Sequence, residues 1–218
     1  LSNYVISQAY SAISGNTRNI ASITAKNLTV GGAPVVSSKV YDAAATASVT
    51  GGVLVGVIGS DVVNLTQAGI FAQSSVGNSI AVTGNFSISG AGAGNYSLSQ
   101  PTGLRGAITP KPLTIVGASV SNKVYDGSTA ATVNGGSLSG VVSADEANVT
   151  LNQVANFVTA NAGNNIQAFF SSSLSGSAAN NYSLTQPAAV NADITAKELT
   201  ITGMSISCLL YTSDAADE

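Results

Sequence analysis

Ile23–Val30 reads ITAKNLTV, Ile108–Ile115 reads ITPKPLTI and Ile194–Ile201 reads ITAKELTI. The three copies begin 85 and then 86 residues apart, a spacing of the size of a small domain rather than of a solenoid rung. Apolar residues alternate with polar ones in each copy, the period of a strand with one buried face. Working outward, Lys39, Val40, Tyr41 and Asp42 return 84 residues later as Lys123, Val124, Tyr125 and Asp126. Gly51, Gly52, Leu54, Gly56, Val57 and Asp61 return as Gly135, Gly136, Leu138, Gly140, Val141 and Asp145, and Asn64 matches Asn148. After a two-residue insertion near Leu151, Phe71, Gly77, Asn78 and Ile80 match Phe157, Gly163, Asn164 and Ile166. The repeat closes on Asn95–Pro101 (NYSLSQP) and again on Asn181–Pro187 (NYSLTQP).

These landmarks divide the chain. Residues 1–22 hold a degenerate closing phrase, Asn3 to Gln8, and read as the end of a preceding repeat; 23–107 and 108–193 are two whole repeats; 194–207 opens a third. Alternation continues through Val53, Val55 and Val57, Ile80 and Val82, and Phe86 and Ile88, between clusters of Gly, Asn and Ser. About seven short strands per repeat predict an all-β fold of tandem β-sandwich modules arranged as a rod. A parallel β-helix is the alternative, although it calls for rungs of roughly 20 residues. A module of this size is near the lower limit for independent burial, so neighbouring modules are expected to support one another.

Composition fits folded modules. Hydrophobic residues make up 44% of the chain and charged residues 8%, the reverse of the pattern of disorder. The formal charge of −3 is concentrated at one end, because Asp214, Asp217 and Glu218 supply three of the ten acids. The segment 208–218, CLLYTSDAADE, is similar to translated sequencing-adapter DNA, and it also holds the sole cysteine. Without it, seven acids (10 − 3) balance seven bases, and neither disulfides nor thiolate metal sites remain. There is no basic stripe for nucleic acid and no apolar run long enough for a transmembrane helix. The chain opens on Leu1 with no leader pattern, so any export signal is expected outside it.

The phrases KVYDGSTAA (Lys123–Ala131), GNYSL (Gly94–Leu98) and ITPKPLTI resemble the YDG and MBG (mostly bacterial Ig-like) repeat modules. The resemblance covers residues 23–207. It implies an Ig-like fold and a place in a large secreted bacterial surface protein of filamentous-haemagglutinin-like, two-partner-secretion type. The implied role is a structural spacer that projects a distal binding region; the alternative is that the modules themselves bind glycan or protein in adhesion or biofilm formation. Lys39, Tyr41, Asp42, Lys123, Tyr125, Asp126, Gly127, Asn95, Tyr96, Asn181 and Tyr182 are the repeat-signature residues, expected to be structural. Ala43 stands where the second repeat has Gly127, so either that turn has negative φ or the first repeat uses a different turn.

An enzyme is not expected. The chain has no His and, outside the last eleven residues, no Cys, which removes Ser-His and Cys-His arrangements and most transition-metal sites. The carboxylates are scattered, with Asp145 and Glu146 the one adjacent pair before the tail. No cofactor is expected; Asp61, Asp145, Glu146 and Asp193 are weak candidates for calcium, and none belongs to an EF-hand loop. Expected partners are neighbouring repeats of the same chain and a host or biofilm glycan or protein. Six Asn-x-Ser/Thr sequons, at Asn27, Asn64, Asn85, Asn95, Asn148 and Asn181, accord with chance in so Asn-, Ser- and Thr-rich a chain.

Overall fold

The computed structural model describes residues 22–205. All but Ser22 of the expected remnant of a preceding repeat, and the whole of 208–218, therefore lie outside the described residues. What is described is all-β, interrupted only by three single-turn 3-10 helices. Alternation is the cause. In Gly77–Gly84 the side chains of Ile80 and Val82 point inward while Ala81 and Thr83 face solvent, and in Lys111–Val120 Leu113 and Ile115 are buried between exposed Pro112 and Thr114.

Each repeat builds two groups of strands. In the first repeat, Lys26–Gly31 is the centre of a three-stranded sheet. Tyr96–Leu98 runs parallel on one side (Leu28↔Leu98) and Val53–Val55 antiparallel on the other (Thr29↔Val55). A two-stranded ribbon, Asn64–Thr66 with Ser87–Ser89, completes this half. The other half is a five-stranded sheet in the order Lys39–Val40, Arg105–Thr109, Gly77–Gly84, Gly69–Phe71, Thr46–Ala47. Only its Lys39–Val40 edge is parallel to its neighbour.

The second repeat follows the same plan. Lys111–Val120 lies between Tyr182–Thr185 and Val133–Ser139, Thr150–Asn152 pairs with Ser173–Ser175, and a five-stranded sheet runs Lys123–Val124, Val190–Thr195, Gly163–Phe170, Ala155–Phe157, Ala130–Ala131. Even the irregularities recur. Ser79 and Asn165 sit at matching positions with φ of 57° and 56°, where each sheet slips register against its neighbour. A parallel β-helix would stack every strand on a parallel partner one rung away, and this predominantly antiparallel order is incompatible with it.

Repeats and compact units do not coincide. One unit holds the residues up to Val116 together with Ser137–Asn152 and Ser173–Gln186; the other holds Gly117–Gly136, Gln153–Ser172 and the residues from Pro187 on. The divisions in Lys111–Val120 and Val133–Ser139 fall beside Gly117 (φ 73°) and Gly136 (φ 86°), where the left-handed backbone bends each strand. In the first unit, repeat one contributes Phe71, Ile80 and Val82 to a core that also contains Ile108, Leu113, Val149, Ala178 and Tyr182 from repeat two. Two successive repeats thus share one hydrophobic core. The second unit has a smaller core of Phe157, Ala168, Ala192 and Ile194.

Candidate functional site

The polar feature at the heart of the first unit is made by two signature tyrosines, Tyr41 and Tyr182, and by Asp145, one of the acids weighed for calcium. The backbone N–H of Asp145 donates to the Val142 carbonyl in a 3-10 turn, Ser143–Asp145, which presents the carboxylate inward with only 7% of the residue exposed. Its Oδ2 accepts the hydroxyl of Tyr182 at 2.7 Å and that of Tyr41 at 2.9 Å. The two rings meet edge to face, with centroids 5.4 Å apart and planes at 79°. The Tyr182 hydroxyl also accepts the Val142 N–H at 3.2 Å. Burial, then the bond to Asp145, pushes the Tyr182 hydroxyl up to about 12 and raises that of Tyr41 in the same way. A buried acid is expensive unless satisfied, and here the satisfaction comes from two phenols rather than a cation.

Tyr41 belongs to repeat one, whereas Asp145 and Tyr182 belong to repeat two. The arrangement is a latch between consecutive repeats inside one core. A second tie accompanies it: Asn181 Oδ1 accepts the Val76 N–H at 3.0 Å. The matching acid of repeat one, Asp61, accepts the Tyr96 hydroxyl at 2.6 Å, and that hydroxyl accepts the Ile58 N–H at 3.0 Å, as in the second repeat. Asp61 is exposed, and no second tyrosine reaches it among the described residues.

The signature lysines and their acids, Lys39 with Asp42 and Lys123 with Asp126, form a clamp on the turn that follows Tyr41 or Tyr125. Lys39 Nζ lies 2.6 Å from Asp42 Oδ1 and donates to the carbonyls of Ala44 and Thr46. Lys123 Nζ lies 2.7 Å from Asp126 Oδ1 and donates to those of Ser128 and Ala130. Each Asp also accepts the N–H two residues on, an Asx turn. Lys123, followed by the Ser128 bonds, holds the Asp126 carboxyl at about 2, and Lys39 lowers that of Asp42. The turn is the same in both repeats, since Ala43 has φ 65° and Gly127 φ 78°. Of the two alternatives open at sequence level, neither holds: alanine takes the left-handed conformation itself.

The acids considered for calcium do not gather. Asp61 and Asp145 serve tyrosines, Glu146 is exposed beyond the 3-10 turn, and Asp193 Oδ1 accepts the Asn165 N–H at 2.7 Å. Among the described residues no group of three or more His, Cys, Asp or Glu is placed to hold a metal ion, and no helix is long and apolar enough to cross a membrane. Asn95 is exposed while Asn181 is partly buried. Sequence reasoning grouped the tyrosines and acids separately; the signal that joins them is that Tyr41, Asp61 and Tyr96 all recur, at intervals of 84, 84 and 86 residues.

Fold and site together define an all-β chain of interlocked repeats whose signature residues form tyrosine–acid latches and turn clamps. The chain belongs to the YDG domain family, whose model matches residues 24–103 and again 109–192. No curated protein and no solved structure matches it.

Proposed function

We propose that these repeats are the structural spacer of a large secreted bacterial surface adhesin, of filamentous-haemagglutinin-like type, in which Ig-like modules in series project a distal binding region and perform no catalysis themselves. The observation that carries this reading is the Tyr41–Asp145–Tyr182 latch, in which the most buried polar group of the first unit is used to join one repeat to the next. A module whose interior is shared with its neighbour resists being pulled out of series, because separation would strand the Tyr41 phenol and take from the Asp145 carboxylate one of its two donors. The turn clamps serve the same end, since their lysines are spent on backbone carbonyls and on the adjacent acid.

The test has two arms. The chain is applied to glycan and matrix-protein arrays, and antibodies against it are applied to intact cells of the native host. Surface labelling with silent arrays is the expected result. Saturable array binding by the repeats would replace the spacer with a binding module, and an exclusively intracellular signal would overturn the surface reading.

A further inference from the structure

Repeat one and repeat two carry equivalent sheets in unequal surroundings. The inward residues Val36, Tyr41, Ala47, Val49, Ile80 and Leu104 of repeat one are all buried. Their counterparts Val120, Tyr125, Ala131, Val133, Ile166 and Val190 are all partly or fully exposed, although the innermost Phe157, Ala168 and Ile194 remain buried. Tyr125 is the sharpest case, 40% exposed where Tyr41 is 5% exposed. The opening segments show the same contrast, although residues 196–205 form no strand here. Leu28 and Leu113 are fully buried, whereas their counterpart Leu199 is 88% exposed and Ile201, the counterpart of buried Ile115, is 80% exposed. Leu113 is buried because its strand lies between Tyr182–Thr185 and Val133–Ser139 of its own repeat and faces the sheet of the repeat before.

We infer that the open rim of the second five-stranded sheet is the seat for the first half of a following YDG repeat, the one whose opening strand is Lys197–Ile201. In that arrangement Leu199 takes the place of Leu113 over Phe157 and Ile194. Tyr125 then donates its hydroxyl to the acid that corresponds to Asp145. The Ala162 N–H takes the part that Val76 plays toward Asn181. The occupant is specified by chemistry: an apolar Leu-Thr-Ile strand, a buried acid on a 3-10 turn, and an Asn-Tyr pair beside it. This deepens the spacer reading by making the latch a general joint, but its test reads closure of the core rather than adhesion, so either can fail alone.

In the experiment, residues 208–218 are replaced by a copy of residues 122–193, which continues the third repeat in register from Ser207. Backbone hydrogen exchange is then compared between this extended chain and the 218-residue chain. The expected result is rapid exchange at Lys197–Ile201 in the parent, slowed roughly 100-fold in the extended chain, with added protection from Lys123 to Val133. Tyr125→Phe and the copied Asp145→Asn, alone and together, form a double-mutant cycle on the extended chain. A coupling like that of the Tyr41→Phe, Asp145→Asn cycle supports the joint. Unchanged exchange at Lys197–Ile201 would overturn it, as would zero coupling. Protection that rises with concentration in the parent chain would also overturn it, by assigning the seat to a second copy.

Discussion

Asp145 and Asp61 occupy the same place in successive repeats, follow the same turn and accept the same tyrosine hydroxyl, yet one is buried and the other exposed. The difference is Tyr41. In the first unit a preceding repeat supplies the second phenol and the apolar sheet that cover Asp145. The sequence of a YDG repeat therefore does not determine the environment of its own acid; the repeat before it does. Burial turns a surface hydrogen bond worth little into a buried one whose loss leaves two phenols without their acceptor.

The strongest way to break this comparison is to remove both acids in turn. Asp145→Ala strands the hydroxyls of Tyr41 and Tyr182 in the core, and should cost about 2–5 kcal/mol in denaturant titrations of the first unit. Asp61→Ala removes one partly solvated bond and should cost about 1 kcal/mol or less. Equal costs would show that Tyr41 adds nothing. On the other side of the joint, Tyr41→Phe deletes one bond to a buried acid and should cost about 1.5–3 kcal/mol. Tyr125→Phe in the same chain, where the ring is 40% exposed, should change stability by less than about 0.5 kcal/mol. A Tyr125→Phe cost as large as that of Tyr41→Phe would place a partner on Tyr125 in this chain.

How much of this was legible beforehand follows from what periodicity encodes. Alternation at Leu28 and Val30, or at Ile80 and Val82, tells which side chains share a face, and the 85-residue spacing tells that the faces recur. Neither tells which sheet a face meets. The core that Leu113 shares with Phe71 and Ile80 crosses the repeat boundary, and identical repeats offer both a within-repeat and a between-repeat solution with the same pattern. Asp61 and Asp145 were legible as acids and weighed as calcium ligands because junctions between tandem modules can gather carboxylates around a hard cation; that a phenol 35 or 37 residues later accounts for each is a tertiary fact. The Lys-x-Tyr-Asp phrase was legible as a turn with its lysine and acid flanking it. The positive φ of Ala43 was not, because alanine gives no cue to a conformation normally left to glycine or asparagine.

That turn supplies a smaller comparison between the repeats. Gly127 has no atom within 4 Å of where a Cβ would stand, so Gly127→Ala meets only the left-handed backbone cost, about 1 kcal/mol. Ala43→Gly releases the same strain in repeat one but gives up the contact its methyl makes with the core and the entropy advantage of alanine. It should therefore gain less than Gly127→Ala loses. Thermal midpoints of the two variants measure both, and a stabilising Gly127→Ala would show that the second turn does not require its glycine.

The smallest effect belongs to the clamps, and its sign is set by pH. The carboxyl of Asp126 is held at about 2 in the folded chain against an ordinary 3.8, and that of Asp42 is lowered in the same direction by Lys39. A depressed acid contributes stability that is present above its unfolded value and is lost as pH falls through the folded one, here from about pH 4 toward pH 2. Asp126 is exposed and its lysine is shared with the Ser128 and Ala130 carbonyls, so salt screens the ion pair while the Asx turn persists. Asp126→Asn keeps an acceptor for the Ser128 N–H and removes only the charge. The parent and Asp126→Asn should differ slightly at pH 6 and low salt, converge as pH approaches 2, and converge also at about 1 M salt where the Debye length is near 3 Å. A difference that persists in both limits would mean that Asp126 acts through its hydrogen bonds alone, and the lysine would then brace the turn through the carbonyls without help from the acid.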